Sequence, residues 1–168
     1  NAADGQATIF GYRVDDPQHF GVVEFDDDGN AVSLEEKPLE PRSNYVVTGL
    51  YFYPSDVCDY ASRLQPSTRG ELEITDLNRM YLDDKRLKVQ QLGRGFAWFD
   101  TGTIDRLFSV GEYIRSVQEA TGVKVAALEE IAYDAGWIRR AQLLKLADGL
   151  KKTEYGHYLE KIALSTRR

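Results

Sequence analysis

The sequence predicts an α/β protein in which a mixed sheet is flanked by helices and followed by a helical C-terminal tail. Segments rich in β-branched and aromatic residues, which favour strands, occur as far as residue 99. Helical periodicity interrupts them from residue 71, and beyond Gly122 only helical periodicity remains. Because strands with intervening helices indicate the α/β class, we expect two parts: residues 1–121, which contain the sheet, and residues 122–168, the helical tail.

The N-terminal strands are predicted from their composition and from the turn between two of them. Residues 7–13 form the first strand, and residues 20–25 and 32–38 form the second and third. Residues 26–30 contain an Asp-Gly step, which favours a hairpin turn. Pro38 ends the third strand, because proline cannot donate a ladder hydrogen bond.

The middle of the chain alternates strands with helices. Residues 45–53 form the longest strand, and their apolar character on both faces indicates a central, covered position. Ser55 is expected to cap a short helix that runs through Leu64. Residues 71–82 form a helix whose acidic first turn suits the helix dipole. An alternating strand follows at residues 87–92.

The last strand is short and the remainder is helical. Residues 96–99 form this strand, and Thr103 caps a helix that extends to about Ala120 and is ended by Gly122. Three tail helices follow, at residues 128–133, 138–146 and 154–164. Such a tail is expected to pack on the main body or on another subunit.

Composition limits the classes of function. The net charge of -6 argues against a nucleic-acid-binding face, and no apolar run is long enough to cross a bilayer. The single cysteine, Cys58, cannot form an internal disulfide, so we expect a cytoplasmic protein. Two histidines and one cysteine are too few for a zinc site, so any metal would be a hard cation held by carboxylates.

The end of the third strand carries the strongest candidate for chemistry. The hairpin would bring Phe20 and Gly21 close to Glu36 and Lys37. A carboxylate beside an ammonium could accept a sugar hydroxyl and bind a phosphate, respectively. A solvated surface ion pair is the alternative, and spacing alone leaves it open.

Three further residues are ambiguous when each is considered alone. Asp100 lies at a strand end and could bind magnesium, or it could cap the helix that starts near Thr103. Arg69 lies in a loop and could bind a phosphate bidentately, or it could be solvated. Tyr51 could line a pocket or pack in the core.

Several nucleotide-handling motifs do not occur in the sequence. It contains no Walker-type glycine loop, no dinucleotide fingerprint and no Ser-His-Asp set. The chain starts at Asn1 and leads at once into a strand, so we expect a piece cut from a longer protein. If that protein handles a nucleotide, its phosphate loop lies outside this chain.

Five motifs taken together resemble a known family. They occur in order at residues 20–25, 33–38, 47–53, 69–76 and 98–103, and they read FGVVEF, SLEEKP, VTGLYFY, RGELEITD and WFDTGT. The chain resembles the C-terminal part of the bacterial glucose-1-phosphate thymidylyltransferases over its whole length, including the tail. The resemblance implies the C-terminal part of a nucleotidyltransferase-type, Rossmann-like mixed sheet.

The resemblance also implies a reaction and a pathway. Thymidylyl transfer from dTTP to glucose 1-phosphate would depend on Mg2+ and give dTDP-glucose and pyrophosphate. The product would serve dTDP-rhamnose, deoxysugar and cell-surface polysaccharide biosynthesis.

The family's pattern assigns roles to residues of this chain. It implies that Lys37 binds the phosphate of the sugar, that Glu36 binds its hydroxyls, and that Arg69 binds a phosphate; Lys37 and Arg69 are thus the catalytic candidates. Asp100 would be one of two aspartates on magnesium. The pocket would be lined by Phe20, Gly21, Val47, Tyr51 and Trp98.

Members of the family are typically homotetramers with a regulatory nucleotide site at a subunit interface. Four residues of this chain resemble parts of that site: Gly93, Arg94, Glu130 and Ile131. One departure concerns Phe20, because family members often have tyrosine there and a hydroxyl contact would be lost.

Some alternatives remain open at this stage. Without the family's glycine-rich loop and second metal aspartate, the isolated chain is expected to be inactive. A related enzyme that uses UTP, or a non-catalytic sugar-phosphate-binding and oligomerisation fragment, would also fit. The sequence does not distinguish dTTP from UTP and does not give the oligomeric state or the feedback ligand.

Overall fold

The computed structural model describes residues 5–165, which divide into two compact units. The first unit ends at Trp98 and the second begins at Phe99. The boundary predicted between residues 121 and 122 divides the chain by function. Residues 1–121 would bind the sugar phosphate, and residues 122–168 would serve assembly and regulation. This division stays a prediction.

A five-stranded mixed sheet forms the first unit, as the sequence predicts. Its strands are β1 (Ala7–Arg13), β2 (Gly21–Phe25), β3 (Ala31–Glu36), β4 (Tyr45–Phe52) and β5 (Leu87–Gln91). The order across the sheet is β3-β2-β4-β1-β5. Only the β1–β5 pairing is parallel among the pairings of these strands.

The predicted hairpin is confirmed. β2 and β3 pair antiparallel with Gly21 opposite Glu36. Their turn is closed by Asp26, whose carboxylate accepts a hydrogen bond of 2.7 Å from the Asn30 amide, and Gly29 adopts the positive φ that the turn needs. The backbone amide of Lys37 then donates to the carbonyl of Phe20 at 2.9 Å, so the two predicted residue pairs are neighbours.

The longest strand is central but only half covered. Val46 and Thr48 of β4 are buried, whereas Leu50 and Phe52 remain about half exposed. Strand β1 pairs with both halves of β4, whereas the pairing with β2 is confined to its start, at Tyr45 and Val46. The predicted covering of the whole strand is therefore wrong for its second half.

Two helices of the first unit begin later than predicted. Helix α1 spans Val57–Ala61, and the residue before it is Asp56 rather than Ser55, so the predicted Ser55 cap is wrong. The Asp56 carboxylate is used by tertiary contacts with Tyr81 and Arg86. Burial and the hydrogen bond to Asp56 raise the pKa of Tyr81 to about 12.

Helix α2 spans Ile74–Asp83, although the sequence predicts a start at residue 71. The preceding residues form a loop in which the Ser67 amide donates to the carbonyl of Glu71 at 2.8 Å. Glu73 adopts an extended conformation with φ -80° and ψ 131°, so the helix begins only after it. The loop matters because it holds Arg69.

The predicted strand at residues 96–99 is wrong. The Phe96 amide donates to the carbonyl of Gly93 in a turn, and the Phe96 carbonyl accepts from the Tyr12 hydroxyl at 3.1 Å. Because both polar backbone groups of Phe96 have these partners, they are not available for a sheet ladder.

Helices make up the second unit where it is described. They are α3 (Ile104–Thr121), α4 (Leu128–Asp134), α5 (Arg140–Gly149) and α6 (Glu154–Leu164). The Thr103 hydroxyl accepts from the Arg106 amide at 3.3 Å and Gly122 ends α3 at a φ of 71°, so both predicted signals are confirmed. Helices α5 and α6 share a core formed by Leu143, Ala147, Leu159 and Ala163.

No helix within residues 5–165 has both the length and the apolar character that crossing a membrane would require.

Candidate functional site

Glu36 lies where the β2–β3 hairpin, the residue 67–73 loop and the start of α2 meet. One carboxylate oxygen, Oε2, accepts a hydrogen bond of 2.5 Å from the Thr75 hydroxyl. The other, Oε1, lies 3.9 Å from Nζ of Lys37 and 3.8 Å from Nη1 of Arg69. The site therefore places one fixed hydrogen-bond acceptor between two cations.

Lys37 has an unusual backbone conformation. Its φ is 45°, in the left-handed region that side chains other than glycine seldom adopt. Such strain costs about 1–2 kcal/mol and persists where the surrounding structure enforces it, often at functional sites. Here the conformation follows directly after β3, and the lysine side chain is about half exposed. Its ammonium group is thus accessible to a ligand.

Arg69 is held by three carboxylates. Its Nη2 contacts Glu71 at 2.6 Å, whereas its Nη1 lies 3.8 Å from Glu36 and 3.7 Å from Glu73. Ser67 supports the loop by donating its hydroxyl to Glu73 at 2.9 Å. The guanidinium therefore has a defined position rather than the free solvation that a loop arginine could show.

Gly21 is packed against the centre of the site. A Cβ atom at this position would lie 2.9 Å from the Thr75 hydroxyl oxygen, 3.2 Å from Oε2 of Glu36 and 3.9 Å from Cβ of Val47. The first distance is shorter than real Cβ contacts. Glycine thus permits the hydrogen bond between Thr75 and Glu36 to form directly over the backbone of β2.

We expect Gly21→Ala to weaken the site and destabilise the fold. The new methyl group must displace Thr75 or Glu36, and overpacking of this kind costs about 1–3 kcal/mol. The measurement is thermal unfolding of the variant beside Gly49→Ala, a strand glycine whose Cβ would meet nothing within 4 Å. Equal melting temperatures for the two variants would contradict the close packing at Gly21.

Aromatic and aliphatic side chains lie around this polar centre. Trp98 packs edge-on against Phe20, with 5.3 Å between the ring centroids. Burial, together with the negative charge of Glu36, raises the pKa of Tyr51. Tyr51 also packs with Val47 against a core cluster of the first unit, so the core alternative applies to Tyr51, and its place in a pocket wall stays a prediction.

All the predicted substrate-binding residues therefore fall in one region of the first unit. They are Phe20, Gly21, Glu36, Lys37, Val47, Tyr51, Arg69 and Trp98. Their roles in binding stay predictions.

Asp100 belongs to the second unit. Its carboxylate accepts from the Gly102 amide at 3.1 Å and pairs with Arg106. The capping alternative is wrong, because Thr103 caps α3. Among the described residues no group of three or more acidic, histidine or cysteine side chains could hold a metal. The role of Asp100 as one of two aspartates on magnesium stays a prediction.

The four predicted regulatory residues are divided between the units. Gly93 and Arg94 line a cavity of about 430 Å³ in the first unit, together with Tyr12, Arg13, Tyr45 and Leu92. In the second unit, Glu130 accepts a hydrogen bond from Tyr158, and Ile131 is about half exposed. Their regulatory role stays a prediction.

Sequence reasoning missed the roles of Ser67, Glu73 and Thr75. The helix dipole explains why acidic residues are favourable before α2, but it does not predict the direction of their side chains. Sequence spacing does not reveal these roles, because the loop turns at Gly70, where φ is 79°, and Thr75 already lies in α2.

The chain belongs to the nucleotidyl transferase family, whose model matches residues 1–117. Among curated relatives, it is 54% identical over 153 residues to a glucose-1-phosphate thymidylyltransferase from Neisseria gonorrhoeae, covering 91% of this chain and 53% of the relative. It is 52% identical over 151 residues to the one from Mycolicibacterium smegmatis, covering 90% and 52%. The chain thus spans about half the length of these relatives.

Solved structures agree with the fold. A Bacillus anthracis protein described as a glucose-1-phosphate thymidylyltransferase, in complex with sucrose, aligns with a TM-score of 0.58 and 40% identity. The alignment covers 65% of this chain and 43% of that one. A UDP-glucose pyrophosphorylase complexed with UDP-glucose aligns with a TM-score of 0.57 over 66% of this chain and 45% of that one. At 22% identity, this second likeness shows the fold alone.

Proposed function

We propose that this chain supplies the sugar-phosphate side of a glucose-1-phosphate thymidylyltransferase, which converts dTTP and glucose 1-phosphate into dTDP-glucose and pyrophosphate. The observation that carries the proposal is the arrangement at Glu36, where one carboxylate oxygen lies within 4 Å of both Lys37 and Arg69. About 50% identity to relatives of that name supports the choice of reaction.

The residues suit a substrate with hydroxyl groups and a phosphate. The Glu36 carboxylate can only accept hydrogen bonds when it is ionised, so it selects a donor such as a sugar hydroxyl. Lys37 and Arg69 supply positive charge for the phosphate. Phe20 and Trp98 offer an apolar surface beside these polar groups.

Catalysis would rest on positioning and electrostatics. In nucleotidyl transfer an oxygen of the sugar phosphate attacks the α-phosphate of the nucleotide, and pyrophosphate leaves. The attacking oxygen belongs to an anion that approaches another anion, so neutralising charges lower the barrier. Lys37 and Arg69 would fix the attacking phosphate and offset this repulsion.

A magnesium ion fits the chemistry of Asp100. Mg2+ binds through one or two carboxylates and lets water and phosphate oxygens complete its shell, so a single aspartate is a sufficient contribution from this chain. The Asp100 carboxylate would exchange its ion pair with Arg106 for the metal. When bound, the ion would neutralise charge on the reacting phosphates.

The wider role is proposed from the family resemblance. The chain spans about half of the length of the relatives, and we assign recognition of the base and the triphosphate to the part of the relatives that it does not match. The isolated chain would bind sugar phosphate without turnover. The complete enzyme would be a cytoplasmic homotetramer, regulated by a nucleotide and serving dTDP-rhamnose synthesis.

Release of pyrophosphate from dTTP and glucose 1-phosphate tests this function. The chain would be assayed alone and also joined to the part of the Neisseria gonorrhoeae relative that it does not match. We expect turnover only in the joined protein, with magnesium present and with dTTP preferred over UTP. A preference for UTP would instead support a sister enzyme.

A joined protein that folds and binds glucose 1-phosphate, yet releases no pyrophosphate from either nucleotide, would contradict the proposed reaction. That result would favour the alternative of a sugar-phosphate-binding module without chemistry.

A further inference from the structure

The two ends of the Arg69 guanidinium lie in different environments. Nη1 faces Glu36 and Glu73 at 3.8 and 3.7 Å, whereas Nη2 contacts Glu71 at 2.6 Å. The side chain of Glu73 is only 11% exposed and that of Glu36 22%, but that of Glu71 is 60% exposed. Arg69 therefore has an inner end on sheltered carboxylates and an outer end on a solvated one.

Glu73 is fixed from the protein side. Its carboxylate accepts from the Ser67 hydroxyl at 2.9 Å, and the same Ser67 oxygen accepts from the Arg69 backbone amide at 3.2 Å. Ser67 thus connects the backbone of Arg69 to the carboxylate that faces its guanidinium. Because Glu73 lies immediately before α2, this contact also ties the loop to the helix.

Glu71 lacks such support. It pairs with the outer nitrogen of Arg69, and both side chains are more than two-fifths exposed. Ion pairs in this setting stabilise a protein little and exchange readily. Two oxygens of a phosphate group can pair bidentately with a guanidinium, as the two oxygens of a carboxylate do, and a phosphate carries more charge.

We propose that Glu73 is a positioning residue for Arg69, and that the phosphate of the substrate displaces Glu71 from the outer nitrogen. The inference rests on the proposed function, in that the anion is a sugar phosphate. Glu73 and Glu36 hold the inner end of the guanidinium while its outer end changes partner from Glu71 to phosphate.

This arrangement predicts opposite effects from the same change in charge at two positions. A general electrostatic effect would make both Glu71→Gln and Glu73→Gln bind phosphate more tightly, since each removes one negative charge near the site. Displacement and positioning instead predict that Glu71→Gln binds more tightly and Glu73→Gln more weakly. The sign of the second effect therefore separates positioning from general electrostatics.

The experiment is calorimetric titration of glucose 1-phosphate, inorganic phosphate and uncharged glucose into the 168-residue chain. For Glu71→Gln we expect phosphate-containing ligands to bind about two- to five-fold more tightly. For Glu73→Gln we expect them to bind about tenfold more weakly. The affinity for glucose should change by no more than about twofold in either variant, which is the size of effect that a solvent-exposed charge has on an uncharged ligand.

Two further variants serve as controls. Ser67→Ala keeps every charge but removes the hydrogen bond that orients Glu73, so it should weaken phosphate binding in the same direction as Glu73→Gln. Glu119→Gln removes a carboxylate that pairs with Arg115 in α3, and it should leave phosphate binding unchanged. Thermal unfolding of each variant shows whether the fold is retained.

The outcomes distinguish the two proposals. If the wild-type chain binds none of the phosphate ligands, the proposed function is overturned. If it binds them and both glutamine variants bind more tightly, or neither changes, the positioning of Arg69 by Glu73 is overturned while the function stands. A Ser67→Ala variant that folds and binds as the wild type does would also overturn it.

Discussion

Replacing Lys37 with methionine is expected to weaken binding of glucose 1-phosphate by about 10- to 100-fold, the loss that follows from one charged hydrogen bond to phosphate. Methionine keeps most of the unbranched stem of lysine and removes its charge. The side chain of Lys37 is about half exposed and its nitrogen lies 3.9 Å from Glu36, so the variant leaves no buried charge unpaired. Calorimetric titration measures the change, and Lys88→Met on β5 is the matched control.

Lys37→Gly separates binding from stability. Glycine adopts the positive φ of this position without the steric penalty that methionine incurs. The glycine variant is therefore expected to unfold at a higher temperature than the methionine variant while binding equally poorly. Retention of wild-type affinity in both variants would show that the Lys37 ammonium group does not bind the phosphate.

Gly156→Ala is expected to destabilise the second unit by about 3 kcal/mol, at the upper end of ordinary overpacking effects. Gly156 lies in the first turn of α6, and a Cβ there would lie 2.1 Å from the backbone oxygen of Leu150. A backbone atom cannot rotate away as a side chain can, so the α5–α6 connection must shift. Chemical denaturation followed by circular dichroism would measure the loss.

Gly149→Ala provides the comparison for Gly156→Ala. Gly149 is also helical, at the end of α5, but a Cβ there would meet nothing within 4 Å. Alanine favours helix over glycine by about 1 kcal/mol, so this variant is expected to be as stable as the wild type or more so. Equal stability of the two alanine variants would show that α6 does not approach Leu150 as closely as described.

The β2–β3 hairpin and the ends of α3 can be predicted from the sequence because local chemistry determines them. The Asp-Gly turn sets the register of the β2–β3 hairpin, and this register places Gly21 opposite Glu36. Thr103 and Gly122 mark the ends of α3 through a side-chain cap and a positive φ, both of which depend on the residue type itself.

The errors occur where tertiary contacts override local preference. Ser55 has the composition of a cap, but the helix begins after Asp56, whose carboxylate is bound by Tyr81 and Arg86 from distant parts of the chain. The aromatic residues at 96–99 have strand composition, but the Phe96 carbonyl accepts from Tyr12 instead of a neighbouring strand. Neither partner could be identified from periodicity.

The candidate site also combines features that the sequence predicts with features that depend on tertiary contacts. Glu36 and Lys37 are adjacent in sequence at the end of a predictable strand, so their proximity does not depend on the fold. Arg69 lies 33 residues beyond Glu36, and only the structure brings their charged groups to 3.8 Å. Glu73 and Thr75 were missed because their sequence neighbourhood resembles an ordinary helix start, whereas their side chains are directed to Arg69 and Glu36.

We propose that this chain by itself carries the site for a sugar phosphate. Calorimetric titration of glucose 1-phosphate into the wild-type chain measures this binding. We expect saturable binding at one site per chain, stronger than the binding of glucose or inorganic phosphate alone, because the site combines a hydroxyl acceptor with two cations. A folded chain that shows no saturable binding of glucose 1-phosphate would contradict the claim.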